Sequence, residues 1–189
     1  MEAESLFKQA KYAEALPLYR QVTNPSGKDF AVLAMLHAGQ AQAKLKQWTA
    51  SLETLEQAAK QFPDSDYLAE ILYEEAWARQ NLGQPDEALP LYEEVTAKTD
   101  REVAARARFM IGEIYFEKKN HAEAIKNFFK AAYGYGYPQW QANAQYEAGR
   151  CFEVLGKKEQ ARKSYQEIVE KYPDSDKVEL AKKRLEELK

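Results

Sequence analysis

The chain is 189 residues long, and its 27 basic and 30 acidic side chains leave a formal net charge of −3. Such a mixture gives no global pull toward nucleic acid or a membrane surface, and no apolar run approaches the length of a membrane span. Charged residues at 30% and aromatics at 12% suit a folded, helix-rich chain long enough for one substantial core, and a single cysteine, Cys151, allows no internal disulfide.

Helical start and stop signals divide the chain into hairpins. The N-terminus, Met1-Glu2-Ala3-Glu4-Ser5, has no signal-peptide character. Residues 2–10 and 12–23 are expected as a first hairpin, with Asn24-Pro25-Ser26-Gly27 as a loop by its turn chemistry. Residues 29–46 and 48–61 make the second hairpin, and 66–82 and 85–98 the third, whose second helix opens with Pro85 at a position that needs no N–H. Residues 101–118 and 121–133 make the fourth, and 139–155 and 158–171 the fifth. A last helix over about 175–188 places Val178, Ala181, Leu185 and Leu188 on one stripe, which suits a cap on the fifth hairpin. Pro17 and Pro90 fall inside second helices, where a local bend is expected and not a break.

The hairpins are copies of one pattern. Glu87 to Tyr92 repeats Glu14 to Tyr19 letter for letter. A small residue recurs as Ala15, Ser51, Ala88, Ala124 and Ala161, at steps of 36, 37, 36 and 37. A large one follows four residues later as Tyr19, Leu55, Tyr92, Phe128 and Tyr165. Twelve residues before the small position stand Gly39, Ala76, Gly112 and Gly149; five before it stand Lys46, Gly83, Lys119 and Gly156, where one helix should turn into the next. Phe62-Pro63-Asp64-Ser65-Asp66 returns as Tyr172-Pro173-Asp174-Ser175-Asp176, three periods on.

These columns resemble the tetratricopeptide repeat, a helix-turn-helix unit of about 34 residues. The resemblance covers nearly the whole chain and implies an all-α fold: a right-handed α-solenoid of about five hairpins plus a capping helix, forming one domain over residues 1–189. In that register Met1 falls five residues into a first helix, so the first repeat is expected to be cut short and the chain to be a piece of a longer protein. The family lines a concave groove with its first helices. Carried over column by column, the groove here holds Tyr73, Trp77 and Gln80 in the third repeat, Arg106, Phe109 and Phe116 in the fourth, and Asn143, Tyr146 and Arg150 in the fifth. Rings and arginines dominate contact hot spots, so the set is suited to a peptide; the alternative is that the rings fill the solenoid's own lumen.

Chaperone-binding members grip a carboxylate with Lys and Asn in this groove. Here the lysine column reads Leu36, Tyr73, Phe109 and Tyr146, and the asparagine column Gln40, Trp77, Glu113 and Arg150, so that clamp is missing. The C-terminal part is different: Tyr146-Glu147-Ala148-Gly149, Leu155-Gly156, Lys171-Tyr172-Pro173-Asp174-Ser175 and the closing Ala181-Lys182-Lys183-Arg184-Leu185 are similar to the TolA-binding, cell-division-coordinating proteins of bacterial envelopes. That likeness favours the bacterial periplasm over the cytoplasm.

Nothing in the sequence supports catalysis. His37 and His121 are the only histidines, and no Cys, His or acidic cluster has metal-ligand spacing. No phosphate loop, nucleophile elbow or dinucleotide fingerprint is present. His121 sits where Trp48 opens an earlier helix and Cys151 in the column of Ala41 and Ala78, so both are expected in packing roles. Glu75 stands in a column that is usually apolar, within reach of Arg79 at i+4. Tyr133-Gly134-Tyr135-Gly136-Tyr137-Pro138-Gln139-Trp140 is the one stretch outside the pattern, and most of its rings are expected to pack under neighbouring helices. The resulting expectation is a non-catalytic scaffold without cofactor or metal, binding a protein or peptide segment in the groove, with no nucleic acid and no direct membrane insertion. The alternatives are a self-associating assembly element, which would make the chain a homo-oligomer, and the interaction module of a larger enzyme or regulator.

Overall fold

The computed structural model describes residues 2–22 and 28–189; the expected loop Asn24-Pro25-Ser26-Gly27 lies outside them. Among the described residues there are eleven helices and no strand. They are α1 (Glu2–Lys8), α2 (Tyr12–Arg20), α3 (Lys28–Lys44), α4 (Trp48–Gln61), α5 (Leu68–Asn81), α6 (Pro85–Lys98), α7 (Glu102–Glu117), α8 (His121–Gly134), α9 (Pro138–Val154), α10 (Lys158–Lys171) and α11 (Val178–Glu187). No described helix is long and apolar enough to cross a membrane. The chain divides into two compact units, Met1–Val95 and Thr96–Lys189. The first stacks the hairpins α1–α2, α3–α4 and α5–α6; the second holds α7–α8, α9–α10 and α11.

Every hairpin turns through the same device. The residue five before the small column adopts a left-handed backbone in all five: Ala10 (φ 60°), Lys46 (58°), Gly83 (77°), Lys119 (60°) and Gly156 (69°). Its N–H bonds back three residues, and the next N–H bonds back five, as in Lys46 to Ala43 O and Gln47 to Gln42 O, both 2.9 Å. That pair of bonds is a Schellman cap, which occupies the carbonyls that a helix end leaves open. Gly83 and Gly156 take the conformation freely; Ala10, Lys46 and Lys119 hold it against a steric cost of roughly 1–2 kcal/mol each.

The small and large columns form the seam inside each hairpin. Ala15, Ser51, Ala88, Ala124 and Ala161 are all fully buried, as are Leu55, Tyr92, Phe128 and Tyr165. Ser51 is admitted to its dry position because its hydroxyl donates to the Gly39 carbonyl at 2.8 Å. The glycine column exists for the large one: a Cβ on Gly39, Gly112 or Gly149 would lie within 2.6 Å of Leu55, Phe128 or Tyr165. Ala76 fills the same column in α5, so the third hairpin is built around that one methyl. Pro17 and Pro90 lie within continuous helices, as expected.

Two connections repeat at atomic detail. After Phe62, Ser65 N–H bonds to the Phe62 carbonyl and the Ser65 hydroxyl accepts from Tyr67 N–H at 3.1 Å. After Tyr172, Ser175 N–H bonds to the Tyr172 carbonyl and the Ser175 hydroxyl accepts from Lys177 N–H at 3.2 Å. The α8–α9 connection is tighter than expected. Helix α8 runs on to Gly134, Pro138 already opens α9, and Trp140 is therefore a helical residue. Helix α11 begins at Val178, later than the expected 175, because the Ser175 turn occupies the residues before it. Its stripe of Val178, Ala181, Leu185 and Leu188 packs with Tyr165 and Ile168 of α10, which makes it the cap that its apolar spacing implied.

Candidate functional site

First helices carry the site columns, and the rings in them share one arrangement. Each lies against the large core residue of its own hairpin: Tyr73 on Tyr92, Phe109 on Phe128 and Tyr146 on Tyr165, with centroids 5.5, 5.4 and 5.5 Å apart. Exposure then separates them. Tyr73 is only 4% exposed and is a core residue of its unit, not an open-face ring, whereas Phe109, Phe116 and Tyr146 are half-buried.

In the first unit, Trp77 is half-buried, and its carbonyl accepts from the Asn81 side chain at 2.8 Å. Gln80 is engaged inside its own hairpin, where its side-chain oxygen accepts from the buried Tyr92 hydroxyl at 3.2 Å. The same column supplies the Tyr165 hydroxyl with Glu153 in the second unit. In the fourth repeat the core ring is Phe128, which has no hydroxyl, and the column holds Phe116, apolar in turn. In the third, fourth and fifth repeats this column matches the core ring twelve residues on; in the first, Phe7 stands there and the Tyr19 hydroxyl donates to Glu4 instead.

In the second unit three half-buried rings each lie near a cation. The Arg106 guanidinium stands 5.9 Å from the Trp140 ring, and Trp140 itself packs on Phe109 at 5.5 Å. Arg150 lies 5.1 Å over Phe116, which also takes the edge of His121 at 5.3 Å. Lys177 lies 5.7 Å over Tyr146. Attraction between a cation and a ring face holds such long side chains in defined positions. Asn143 accepts from Gln139 at 3.4 Å, and Gln139 also donates to Asp176 at 2.6 Å.

Carboxylates lie among these rings. Arg150 pairs with Glu147 at 2.6 Å. Glu113, between Phe109 and Phe116 on the same face of α7, has one side-chain oxygen, Oε1, that is out of contact with water and without a hydrogen-bond partner. Burial first, and the neighbouring Glu147 second, push its carboxyl up to about 7, with Arg150 opposing them. Burial also raises Glu147 against the pull of Arg150. Sequence columns named Arg150 and the rings but missed Trp140, Lys177 and the isolation of Glu113. A signal was available for two of them: Trp140 follows Phe109 by 31 residues, and Lys177 follows Tyr146 by 31.

Elsewhere the polar groups serve the fold. Glu75 is 6% exposed, and Arg79 holds it at 3.2 and 3.1 Å while also pairing with Glu56 at 2.5 Å and Glu87 at 2.7 Å. The expected i+4 pair is therefore the centre of a four-residue network. Arg184 of the cap grips both oxygens of Glu153, which also accepts from Tyr165. Tyr133 donates to Glu167 at 2.8 Å and accepts from Gln145 but is 59% exposed, whereas Trp140 is half-buried on Phe109 with Nε1 donating to Glu102 at 2.9 Å, so of these two rings only Trp140 packs as expected. Cys151 is fully buried; burial and the nearby Glu147 and Glu113 push its thiol up to about 12, which leaves almost no thiolate near neutral pH. His37 stacks on Tyr19 at 5.4 Å and shares a hydrogen bond with Gln40 at 3.1 Å. Among the described residues no His, Cys, Asp and Glu side chains gather as a metal site.

Two family models match the chain, both described as tetratricopeptide repeat, one over residues 73–139 and the other over 33–65 and 143–175. No curated protein matches. Solved structures do. BtubC from P. vanneervenii superposes with a TM-score of 0.74 at 17% identity, covering 96% of this chain and 76% of that one. The C-terminal part of a TPR repeat-containing protein from Cytophaga hutchinsonii gives 0.72 at 17%, covering 91% and 64%. MamA of AMB-1 gives 0.67 at 22%, covering 89% and 94%. At these identities the likeness is one of fold, an all-α stack of helical hairpins. With five hairpins on one residue pattern and repeat models matching four of them, the chain belongs to the tetratricopeptide-repeat family.

Proposed function

We propose that the protein is a non-catalytic scaffold that holds a segment of a partner protein along the first-helix face of its repeats. One observation carries the reading. On α7 and α9 the rings of Phe109, Phe116 and Tyr146 stay only half-buried although they pack on Phe128, His121 and Tyr165, and cations stand over Phe116, over Tyr146 and beside the Trp140 ring that packs on Phe109. Packing of the hairpins does not require large rings there. Half-covered aromatics beside arginines are the groups that contribute most to binding when a partner excludes the remaining water.

The test compares wild type with Phe109→Ala/Phe116→Ala/Arg150→Ala as bait in extract from the source organism. The reading requires a protein retained by the wild type and lost by a variant that keeps its helical circular dichroism. Retention of the same protein by both would place the binding surface elsewhere. We further place the protein in a bacterial envelope, on the likeness of Tyr146–Gly149 and Tyr172–Ser175 to the TolA-binding type. Cell fractionation with an antibody checks this, and recovery with cytoplasmic markers would reject it.

A further inference from the structure

The second unit sets out a charge pattern that its own residues leave incomplete. Glu113 faces Glu147 and Arg150 from α9, Glu117 from its own helix and Lys177 from the start of α11. Both neighbouring cations are committed. Arg150 is bonded to Glu147 at 2.6 Å and lies over Phe116. Lys177 lies over Tyr146 and stands 3.9 Å from Asp176. That leaves four carboxylates, Glu113, Glu117, Glu147 and Asp176, against two engaged cations, with Glu113 Oε1 shut off from water and unbonded. Glu113 as a whole is only half-buried, so its other carboxyl oxygen is the one that a donor from outside can meet, and a cation there would supply the charge that Arg150 and Lys177 leave unmet.

We propose that Glu113 is the receptor for a lysine or arginine side chain of the bound segment, whose apolar stem lies along Phe109, Phe116 and Tyr146. The occupant is thus a partner peptide with one cation flanked by apolar residues. This rests on the first-helix face being the binding surface, and it adds what that surface selects. Rings suit the stem of a long cationic side chain, because its methylenes pack on apolar surface while the head reaches the carboxylate. Binding is coupled to a proton: Glu113, held up to about 7 by burial and Glu147, must be ionised to accept the cation. Affinity therefore rises as pH goes from about 6 to 8.

The experiment pans a displayed library of random linear 12-residue peptides on the full chain, then measures the enriched peptides on wild type, Glu113→Gln and Phe109→Ala. The expected result is a Lys or Arg recurring at one place in the enriched set. Affinity should fall about tenfold or more in Glu113→Gln and fall also in Phe109→Ala, both folded by circular dichroism. Enriched peptides that depend on Phe109 but lack a recurring cation, or bind Glu113→Gln as well as wild type, would overturn the assignment while leaving the face standing. A library with no peptide sensitive to either variant would overturn both. Carbon-13 NMR of the Glu113 carboxyl in the wild type needs no variant. Adding an enriched peptide should move its titration below the free value, and an unmoved titration would refute the pairing.

Discussion

Adding a single methyl at Gly112 tests whether the glycine column exists to admit the ring column. The new Cβ would lie 2.5 Å from Phe128 Cε1 and 2.6 Å from Cδ1, with Cζ at 3.0 Å. Phe128 cannot step aside, since it is fully buried in a cluster with Ala124, Ala131, Ala144 and Ala148. Overpacking of this kind costs roughly 1–3 kcal/mol. Replacing Gly by Ala inside a helix recovers about 1 kcal/mol. Gly112→Ala should therefore destabilise the chain by about 1 kcal/mol. Phe128→Ala alone should cost about 3–5 kcal/mol. In that background the collision is gone, and Gly112→Ala should instead stabilise by about 1 kcal/mol. Urea denaturation of the four proteins, followed by circular dichroism, reads the reversal as a coupling of about 2 kcal/mol. Gly112→Ala stabilising the wild type by as much as it stabilises Phe128→Ala would refute the reasoning.

Lys46→Gly and Lys119→Gly should each stabilise by about 0.5–1 kcal/mol, because they relieve a left-handed turn, while Gly83→Ala should destabilise by a similar amount; thermal melts decide. Arg79→Met strands the buried Glu75 carboxylate and should cost about 3 kcal/mol by urea denaturation, most of it restored in Arg79→Met/Glu75→Leu. The Glu113 carboxyl is raised in the fold, so its contribution to stability is fully present below its unfolded value and is lost as pH rises through about 7. Denaturation midpoints should thus fall from about pH 5 to 8 in wild type and fall less in Glu113→Gln, and parallel curves would contradict this. Cys151 should resist Ellman's reagent in the native protein and react only as fast as the fold opens; rapid native labelling would contradict its burial.

Much of the fold is legible because the repeat multiplies each signal. One helix-turn-helix pattern is ambiguous, but five copies in register identified the turns, the seam and the cap. The left-handed turn at Lys46 and Lys119 could be read only from their alignment with Gly83 and Gly156, since neither lysine signals such a backbone by itself. The site was less legible, because a column places a residue on a face and does not say how deeply its neighbours cover it. Tyr73 and Tyr146 share a column, yet one is core and the other only half-buried. Gln80 read as a groove residue, but the phenol of Tyr92 one helix away engages it. Glu75 read as a polar residue in a usually apolar column with Arg79 in reach at i+4, and only the approach of Glu56 and Glu87 made Arg79 a hub. Each of these depends on long-range approach between helices, which a period does not encode.

The most direct test of the proposed scaffold role is a site-specific photo-crosslink in the source organism. A benzophenone side chain is placed either at Val154, 60% exposed at the end of α9, or at Lys126, 57% exposed on the second helix α8. The account predicts a partner adduct from position 154 that disappears in Phe109→Ala/Arg150→Ala, and none from position 126. An adduct with the same partner from position 126 and not from 154 would contradict it.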